Sequence, residues 1–509
     1  MDDKKKTAPL ATDGTAQTEN GSISCDYDST ISAGNQDVFD GDWFDCGLGH
    51  IMDACGARSI TYDELLPAVA EAFIGEEDTE LLSVPELKRR LVEETNRCVE
   101  AYNLGPRDPT AASNAPVKDA YPDRLQGADR LPPVKVLAPV QIAVCVKALH
   151  RAVCLLWRDG DEDGNFDIAL YQEDGGDAGV YDVRDESLNR VIRMYDRTMT
   201  TRQVEEVKAI LRTTCRKVRP CGNPDLIPVN NGVFDYRRKV LVPFSPDCVF
   251  TSKCRVDYVP DAPNPVIHND DDGTDWDVVS WMDGLSDDPE VVRLLWEVVG
   301  AIIRPGVRWN KTAWFYSVTG NNGKGTLCAL MRNLCGAGAW ASIPLKAFSR
   351  EFMLEPLMRV SAVITDENDT STYVDDAAAL KSVITGDPFQ LNRKFKDPRS
   401  VLFRGFMVQC VNELPRMRDR SESMYRRLLV VPFEKRFEGR ERKYIKADYL
   451  GRRDVLEHVL WRVLHETDYY ALSEPEACAK ALGDYRLYND PVREFLEEVL
   501  PQASWDLLP

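Results

Sequence analysis

The stretch that decides the fold lies at residues 312–331, which read TAWFYSV, TGNNGKGT and LCALM in succession. The first seven residues form an apolar run typical of a buried strand, and the last five continue as a helix. In a phosphate-binding loop, a glycine-rich turn with a lysine joins a strand to a helix, and backbone N–H groups there attract phosphate oxygens. Lys324 would reach the β- and γ-phosphates. We predict that nucleotide phosphates are bound by Gly320, Asn321, Asn322, Gly323, Lys324, Gly325 and Thr326.

This loop departs in two places from the usual G-x-x-x-x-G-K-[ST] pattern. Val318 stands where the first glycine is expected, and Gly325 follows the lysine where a hydroxyl residue is expected. The hydroxyl that approaches Mg²⁺ is therefore expected from Thr326, one position later. The departures affect the magnesium geometry more than the binding of phosphate.

Paired acids follow a second apolar run. Residues 359–365, RVSAVIT, predict a strand that ends at Asp366 and Glu367. An isolated acidic pair after a strand is common, but beside a phosphate-binding loop the two carboxylates have distinct uses. Asp366 is expected to hold Mg²⁺ through water, and Glu367 is expected to orient and deprotonate the attacking water.

Three polar residues further along complete the predicted site. A third predicted strand, residues 405–411, ends at Asn412, whose amide could hydrogen-bond the γ-phosphate or the attacking water. The alternative for Asn412 is a turn-forming role. Arg426 and Arg427 precede the apolar run 428–432. Either guanidinium could complete the site of a neighbouring subunit as an arginine finger, or could form a surface ion pair.

Composition bounds the class of protein. The chain has 509 residues, of which 43% are hydrophobic and 29% are charged, so it can bury the cores of several domains. No stretch approaches about 18 uncharged apolar residues, so no membrane partner is expected. The 14 cysteines include no C-x-x-C pair, so we expect reduced, mostly buried thiols in a cytoplasmic protein.

The net charge of −20 argues against a nucleic-acid partner until its distribution is considered. Residues 1–100 alone carry a net charge of −14, so the rest of the chain is only mildly acidic. Residues 392–427 carry 10 basic and 4 acidic side chains. Such a basic stripe either attracts a polyanion locally or forms an ordinary solvated surface.

The pattern along the chain indicates five segments. They are a disordered acidic tail, a helical region with a linker, an α+β domain, an α/β core and a C-terminal helical region, at residues 1–40, 41–135, 136–305, 306–440 and 441–509. Four local predictions concern the middle of the chain. They are a helix over 140–158, a hairpin over 229–243, an acidic loop over 268–277 and one amphipathic helix over 278–303.

Two alternating runs precede the third strand. Residues 389–395, FQLNRKF, and residues 401–403, VLF, flank a turn and predict a β-hairpin. Its side chains could contact a single-stranded nucleic acid, with cations on phosphates and an aromatic ring on a base. The candidate contact residues are Arg393, Lys394, Phe395, Lys396 and Arg399.

Together these motifs resemble superfamily 3 helicases, most closely the phage and plasmid primase–helicase group related to the poxvirus primase-helicase. The likeness is carried by Asn322-Gly323-Lys324, Asp366-Glu367, Gly386-Asp387-Pro388, Asn412-Glu413-Leu414-Pro415 and Arg426-Arg427. Residues 231–258 resemble the domain that precedes the helicase in that group. The resemblance implies an α/β fold with an AAA+-type P-loop NTPase core at 306–440, an α+β helicase-preceding domain, and a mostly helical, partly disordered acidic N-terminal region.

The resemblance also implies an enzyme that binds ATP and Mg²⁺, assembles into a homo-oligomeric ring, usually a hexamer, and translocates on single-stranded DNA. The predicted hairpin would then point into the pore of the ring. Residues 491–500 resemble the start of that group's winged-helix module, which is expected to be either missing or shortened here. Residues 1–135 are too loosely patterned for a full primase domain, so priming is not expected.

We therefore expect an ATP-dependent DNA helicase of a phage, plasmid or mobile element. It would act on single-stranded and forked DNA during replication initiation in a bacterial cytoplasm, with host replication proteins as further partners. The alternative is an ATP-regulated, DNA-binding replication initiator or loader, or a primase–helicase remnant, without processive unwinding. A nucleoside-monophosphate kinase can also carry Gly-Lys-Gly-Thr, but that class explains neither Asn412 nor the hairpin.

Overall fold

A computed structural model of the chain describes residues 61–490, apart from 77–78, 105–109, 111, 113–114, 121, 123, 158–165, 351, 370–372, 394–395 and 467. The tail expected at 1–40 and the winged-helix start expected at 491–500 lie outside the described residues. The helical region expected to begin at residue 41 is described only from residue 61 onward.

The described chain is an alternation of helices and short strands. The helices are α1 Tyr62–Ile74, α2 Val84–Leu104, α3 Pro139–Leu149, α4 Asp185–Tyr195, α5 Thr201–Thr214, α6 Val278–Asp283, α7 Pro289–Ala301, α8 Lys324–Cys335, α9 Ala378–Thr385, α10 Glu422–Tyr425, α11 Lys443–Ala447, α12 Arg453–His465 and α13 Glu476–Tyr488. The strands are β1 Val153–Leu156, β2 Phe166–Tyr171, β3 Tyr181–Asp182, β4 Lys217–Val218, β5 Leu226–Val229, β6 Gly232–Asp235, β7 Val240–Val242, β8 Ile267–Asn269, β9 Thr274–Trp276, β10 Thr312–Tyr316, β11 Trp340–Ala341, β12 Ala362–Thr365, β13 Tyr373–Val374, β14 Phe389–Arg393, β15 Lys396–Val401, β16 Phe406–Val411, β17 Arg416–Met417 and β18 Leu428–Pro432.

The first packed unit joins helices α1–α5 to a small sheet with the strand order β3-β2-β1-β4. Helix α1 begins at a capping box, in which Glu64 accepts hydrogen bonds from the backbone N–H and the hydroxyl of Thr61. Leu65 on α1 and Leu87 on α2 share one apolar core with Ile142 on α3 and with the inner face of the sheet. The domain boundary expected at residue 136 therefore falls inside one packed unit.

Residues 140–158 do not form the single helix predicted from their apolar content. Helix α3 ends at Leu149, and the next apolar run, β1, pairs antiparallel with β2. Arg151 between them has a positive φ of 45°, which is incompatible with continuing the right-handed helix. All four residues of β1 are buried, and a short buried run has no periodicity that separates a strand from a helix.

The middle of the chain holds more strands than the sequence predicts. The hairpin expected over 229–243 is a three-stranded antiparallel meander, β5-β6-β7. The loop expected over 268–277 is instead the hairpin β8–β9. Its buried Ile267 and Asn269 flank the exposed His268, which is the two-residue alternation of a half-buried strand. The many acids on its exposed side concealed that alternation.

The amphipathic helix expected over 278–303 is broken into α6 and α7. Gly284 ends α6, and the Asp288 carboxylate caps α7 by accepting a hydrogen bond from the Glu290 N–H. Pro289 occupies the first turn of α7, where no N–H donor is needed. The break brings Leu285 against the glycine-rich loop, since a Cβ on Gly323 would lie 2.7 Å from the Leu285 Cδ2.

The main sheet has five strands in the order β11-β12-β16-β10-β18, and every neighbouring pair is parallel. The loops that follow β10, β12 and β16 therefore leave the same edge of the sheet. These loops carry Lys324, Asp366 and Asn412. The three strands predicted over 312–318, 359–365 and 405–411 are all present, and they lie side by side.

Apolar cores cover both faces of the main sheet. Trp314 is buried in the core that contains α9 and the hairpin, whereas Ala313 and Phe315 are buried in the core beside α7, α8 and α12. Successive strand residues point to opposite faces. A strand that is covered on both faces therefore reads as an uninterrupted apolar run, which is why β10 stood out in the sequence.

The predicted hairpin is formed by β14 and β15, which pair antiparallel immediately before β16. Leu391 and Val401 at its base are buried in the core that contains Trp314. The turn residues Lys394 and Phe395 lie outside the described residues, and only the backbone of Arg393 and Lys396 is described.

A buried arginine joins three parts of the chain. Arg304 follows α7, is 0% exposed, and donates a hydrogen bond from Nη1 to the Tyr469 carbonyl oxygen at 2.7 Å. Its guanidinium lies 3.9 Å from the ring of Tyr236 and 4.9 Å from the ring of Tyr469, with Trp309 and Tyr470 also within stacking range. Aromatic faces stabilise a guanidinium that has been removed from water.

We expect Arg304→Lys to destabilise the protein by about 2–4 kcal/mol, because an ammonium cannot stack on several rings as a planar guanidinium does. The measurement is urea denaturation. The matched control is Arg237→Lys at an exposed arginine of the same region, which should change the free energy of unfolding by less than about 0.5 kcal/mol. Equal stability of the two variants would contradict a stabilising aromatic cage.

Candidate functional site

The lysine loop turns sharply between β10 and α8. Asn321 has a φ of 53° and Gly323 a φ of 89°, both in the left-handed region that asparagine and glycine tolerate. The Asn322 side chain is buried, and its Oδ1 accepts a hydrogen bond from the Lys324 backbone N–H at 3.3 Å. Helix α8 begins directly after Gly323. The loop therefore presents a helix N-terminus and its backbone N–H groups, which attract anions.

The Lys324 side chain is nearly buried at the carboxyl edge of the main sheet, with 6% of the residue exposed. Its Nζ donates hydrogen bonds to the Asn412 Oδ1 at 3.0 Å and to the Ser317 carbonyl oxygen at 3.3 Å. Both acceptors are neutral, and no carboxylate of the described chain forms an ion pair with this ammonium. Asn412 and Lys324 are thus brought together, 88 positions apart in sequence.

Burial lowers the pKa of Lys324 below its usual value, and the nearby thiols of Cys410 and Cys328 offset this only in part. Desolvation disfavours the charged form of a lysine that has no anionic partner. An anion bound at the loop would supply that partner and reverse the shift. The lysine loop is therefore electrostatically prepared for a negatively charged ligand.

Asp366 lies after β12, at the same edge of the sheet. Its Oδ2 pairs with the Arg332 Nη1 at 2.7 Å, and Arg332 also stacks over Trp340 at 4.8 Å. Asp366 Oδ1 is buried and has no hydrogen-bond partner within the described residues. Arg332 was not found by sequence reasoning. The sequence feature that could have identified Arg332 is its position on α8, two helical turns after Lys324.

Two thiols lie beside Asp366 inside the sheet edge. The Cys328 Sγ on α8 and the Cys410 Sγ on β16 are 3.3 Å apart, and this contact together with burial raises the pKa of Cys328 well above its usual value. These sulfurs and a carboxylate oxygen of Asp366 lie within 4.8 Å of one another. All described cysteines are free thiols and nearly all are buried, as the sequence predicted.

The contacts of Asp366 show which face of α8 it meets. Cys328 and Arg332 both lie beside Asp366. At about 100° per residue, Gly325 falls within about 60° of Cys328 around the helix, whereas Thr326 falls about 160° away. Thr326 is thus placed on a different side of α8 from Cys328 and Arg332, and its expected part in holding Mg²⁺ with Asp366 stays a prediction. The position on the side of Cys328 and Arg332 is Gly325, which has no hydroxyl.

The donor set fits Mg²⁺ through its carboxylates. The unpartnered Asp366 Oδ1 is a buried hard oxygen of the kind that a divalent cation satisfies. Glu367 is exposed and forms no hydrogen bond or ion pair with the described residues, so its carboxylate is available. The adjacent Asn368 anchors this edge by donating hydrogen bonds to Gln409 Oε1 and to the Cys410 carbonyl oxygen, each at 3.0 Å.

The two candidate arginine fingers, Arg426 and Arg427, have different environments. Arg427 is half-buried, donates a 2.7 Å hydrogen bond to the Ser423 hydroxyl, and has a pKa lowered by burial and by neighbouring Arg426. Arg426 is exposed, and its side chain contacts no acceptor in the described part of the chain. Arg427 is thus held by its own subunit, whereas Arg426 is free to reach another molecule.

The basic stripe over 392–427 is not one free face. Arg399 forms an ion pair with Asp167 on β2, and only 17% of its side chain is exposed. Arg418 pairs with Asp375, and Arg420 pairs with Asp490. Arg399 was expected to contact nucleic acid; here its guanidinium pairs with Asp167 and ties the hairpin to the first packed unit, so the expected contact stays a prediction. Lys394 and Phe395 lie outside the described residues, and the side chains of Arg393 and Lys396 are not described.

An aromatic residue that sequence reasoning missed lies near the hairpin. Phe352 is 49% exposed and has a φ of 66°, a strained conformation for a bulky side chain. The turn that follows it, Glu355–Met358, contacts β14. In the sequence, the only feature that marks Phe352 is its position shortly after the basic Arg350.

None of the described helices combines the length and the apolar composition needed to cross a membrane.

Two family matches bear on the site. Residues 154–275 match the family described as D5 N terminal like, and residues 315–427 match a family of unknown function, DUF5906. The first match confirms the resemblance to the phage-type primase–helicase group of superfamily 3. The second match spans the lysine loop, Asp366, Asn412 and Arg426.

Three solved structures are also similar to this chain. An apo structure of the NrS-1 C-terminal region is 11% identical, with a TM-score of 0.40, and the match covers 68% of this chain and 74% of that chain. A second apo form is 12% identical with a TM-score of 0.36, covering 63% and 69%. The JCV helicase is 16% identical with a TM-score of 0.26, covering 45% and 60%. No functional conclusion rests on likenesses at these TM-scores.

The lowered pKa of Lys324 has a consequence for stability. Between that lowered pKa and the ordinary value of 10.5, the unfolded chain binds more protons at this residue than the folded chain does. At pH values below the lowered pKa, the buried Lys324 ammonium therefore reduces the free energy of unfolding. This loss is recovered as pH rises from the lowered pKa toward 10.5. We expect the wild type to gain stability relative to Lys324→Met as pH rises toward the ordinary lysine pKa of 10.5, measured by urea denaturation without nucleotide.

The control for this experiment is Lys443→Met at an exposed lysine. The free-energy difference between this control and the wild type should stay constant over the same pH range. A pH-independent difference for Lys324→Met as well would mean that the buried ammonium is not destabilised.

Proposed function

We propose that this protein is an ATP-dependent DNA helicase with an AAA+-type P-loop core. The observation that carries the proposal is the contact of the Lys324 ammonium with Asn412 at 3.0 Å, at the edge of an all-parallel sheet where Asp366 also lies. A lysine loop, a strand-end acid and a strand-end amide on three adjacent parallel strands are what nucleotide hydrolysis requires. The match to the primase–helicase group supports the choice of DNA as substrate.

Phosphate binding is assigned to the lysine loop. The backbone N–H groups after Asn321 and the N-terminus of α8 would hold phosphate oxygens, and Lys324 would turn from its neutral acceptors toward the β- and γ-phosphates. The phosphate charge would raise the pKa of Lys324 again. Binding energy is gained because an ammonium that has already been desolvated receives an anionic partner.

Hydrolysis is assigned to the acids and the amide. Asp366 would hold Mg²⁺, which stabilises charge on the transferring phosphoryl group. The unpartnered Asp366 Oδ1 would face the metal, while Oδ2 could keep its ion pair with Arg332. Glu367, exposed and unpaired within the described chain, would orient and deprotonate the water. Asn412 would sense the γ-phosphate through the hydrogen bond that it now makes with Lys324.

The arginine finger is assigned to Arg426 rather than to Arg427. Arg426 is exposed and unpaired, whereas Arg427 is fixed to Ser423. A guanidinium supplied by the next subunit neutralises charge in the transition state and links hydrolysis around a ring. We propose a homo-oligomeric ring, of which a hexamer is the expected size.

DNA contact is assigned to the hairpin turn. Residues 393–396 connect β14 to β15, and Phe352 lies on the neighbouring loop. Cations there would bind phosphates of single-stranded DNA, and aromatic rings would stack on bases. Arg399 would instead transmit movement between the hairpin and β2 through its ion pair with Asp167.

A second candidate function is an ATP-regulated initiator or loader that does not unwind processively. The observation in its favour is Gly325, which removes a metal-binding hydroxyl from the site. Slow hydrolysis with tight binding would suit ATP-driven assembly. Strand displacement on a forked duplex distinguishes the two, since only the helicase separates the strands catalytically.

We expect Lys324→Ala and Arg426→Ala each to lose ATP hydrolysis, the second by about a hundredfold or more. Mixing the two inactive proteins should restore activity, because a Lys324→Ala subunit still offers Arg426 to the intact lysine loop of its neighbour. The measurement is phosphate release in the presence of single-stranded DNA. Mixing Arg427→Ala with Lys324→Ala is expected not to restore ATP hydrolysis, since the contacts of Arg427 lie within its own subunit.

No recovery in any mixture would argue against a shared site. Unchanged turnover in Lys324→Ala would remove the assignment of the lysine loop altogether.

We expect Lys394→Ala to keep basal ATP hydrolysis and to lose affinity for single-stranded DNA. The log–log dependence of affinity on salt should become shallower by about 0.7 if one phosphate contact is removed, as measured by fluorescence anisotropy at several salt concentrations. Arg399→Ala is the comparison: its DNA affinity should be retained while its thermal stability falls, because Arg399 pairs with Asp167. Identical salt slopes in Lys394→Ala and the wild type would count against the hairpin as the DNA contact.

A further inference from the structure

A segment outside both family matches crosses the lysine loop. After β18, the chain runs from Phe433 to α11, beyond the matched residues 315–427. The Phe437 backbone N–H donates a hydrogen bond to the Asn321 carbonyl oxygen at 2.8 Å. The Asn321 side chain in turn donates to Glu441 at 3.0 Å. Two hydrogen bonds, both made to Asn321, therefore fix this crossing segment directly to the lysine loop.

The crossing segment delivers a lysine to the start of α8. The Nζ of Lys446 on α11 lies 3.6 Å from the position that a Cβ on Gly325 would occupy. Lys446 is exposed, and its ammonium forms no ion pair within the described ranges. An unpaired cation thus stands over the residue that follows the phosphate-binding lysine.

Gly325 is the residue at which this loop departs from the usual motif. A serine or threonine there would project a hydroxyl toward the Asp366 face of α8 and would help to hold a cation. Glycine provides no ligand, but it leaves the space above the helix N-terminus open. The Lys446 ammonium lies at the edge of that space, within reach of an anion bound at the N–H groups of the loop.

We propose that Lys446 is a second phosphate-binding residue, which contacts the β- and γ-phosphates of a nucleoside triphosphate. Its positive charge replaces part of the charge neutralisation that a cation held by a hydroxyl at position 325 would provide. The proposal rests on the proposed ATP site and deepens it. Because this charge belongs to the protein, triphosphate binding by this chain depends only weakly on Mg²⁺. Lys446 therefore sets affinity, while Asp366 and Glu367 remain responsible for hydrolysis.

The test measures the affinity of the full chain for a fluorescent N-methylanthraniloyl ATP, with Mg²⁺ and with EDTA, at constant ionic strength. The wild type should bind in both conditions with affinities within about threefold. Lys446→Gln should bind about tenfold more weakly in EDTA, the loss expected for one charge-assisted hydrogen bond. Lys443→Gln, at an exposed lysine on the same short helix, is the matched control and should bind like the wild type.

A second variant separates a phosphate contact from a general effect of charge. In the Lys446→Gln background, Gly325→Ser restores the hydroxyl and should recover affinity with Mg²⁺ but not with EDTA. Equal affinities of Lys446→Gln and the wild type in both conditions would overturn the role of Lys446 and leave the ATP site standing. Absence of binding by the wild type would overturn the ATP site itself.

Discussion

A desolvated ammonium at the end of a parallel sheet is the constraint on which the rest of this structure depends. Lys324 is held between Asn412 and the Ser317 carbonyl, both neutral, and its pKa is lowered because burial has removed water without supplying an anion. The two apolar cores that cover the sheet create this environment. The fold thereby stores an unfavourable charge that a bound phosphate would relieve.

The surroundings of this site are rigid where position matters and free where contact with another molecule is required. Arg332, Asn368 and Ser423 hold Asp366, the strand ends and Arg427 in place through contacts inside the chain. Glu367, Arg426 and Lys446 carry charges without a partner in the described structure. A charged group without an internal ion-pair partner is available to a water, a neighbouring subunit or a phosphate, because no opposite charge within the chain competes for it.

Mechanical connections run outward from the same sheet. The Asp167–Arg399 ion pair joins the first packed unit to the hairpin, and the aromatic cage of Arg304 joins the meander, the segment before β10 and the C-terminal helices. A shift of Asn412 at the end of β16 would therefore be passed to the hairpin, which directly precedes that strand. Packed elements are continuous from the site to β2, which gives such a movement a physical route.

The sequence by itself determined the three central strands, the lysine loop, Asp366, Asn412 and the hairpin, because uninterrupted apolar runs and a glycine-rich turn are local signals. It did not reveal β1, the β8–β9 hairpin or the break before α7, since a short buried strand has no distinct periodicity and exposed acids concealed the alternation. Only the tertiary structure decided that Arg399 is internal, that Arg426 is free and that Lys446 lies over Gly325. Those outcomes depend on partners far apart in the chain, and an ion pair or a desolvated charge leaves no local pattern in the residues that form it.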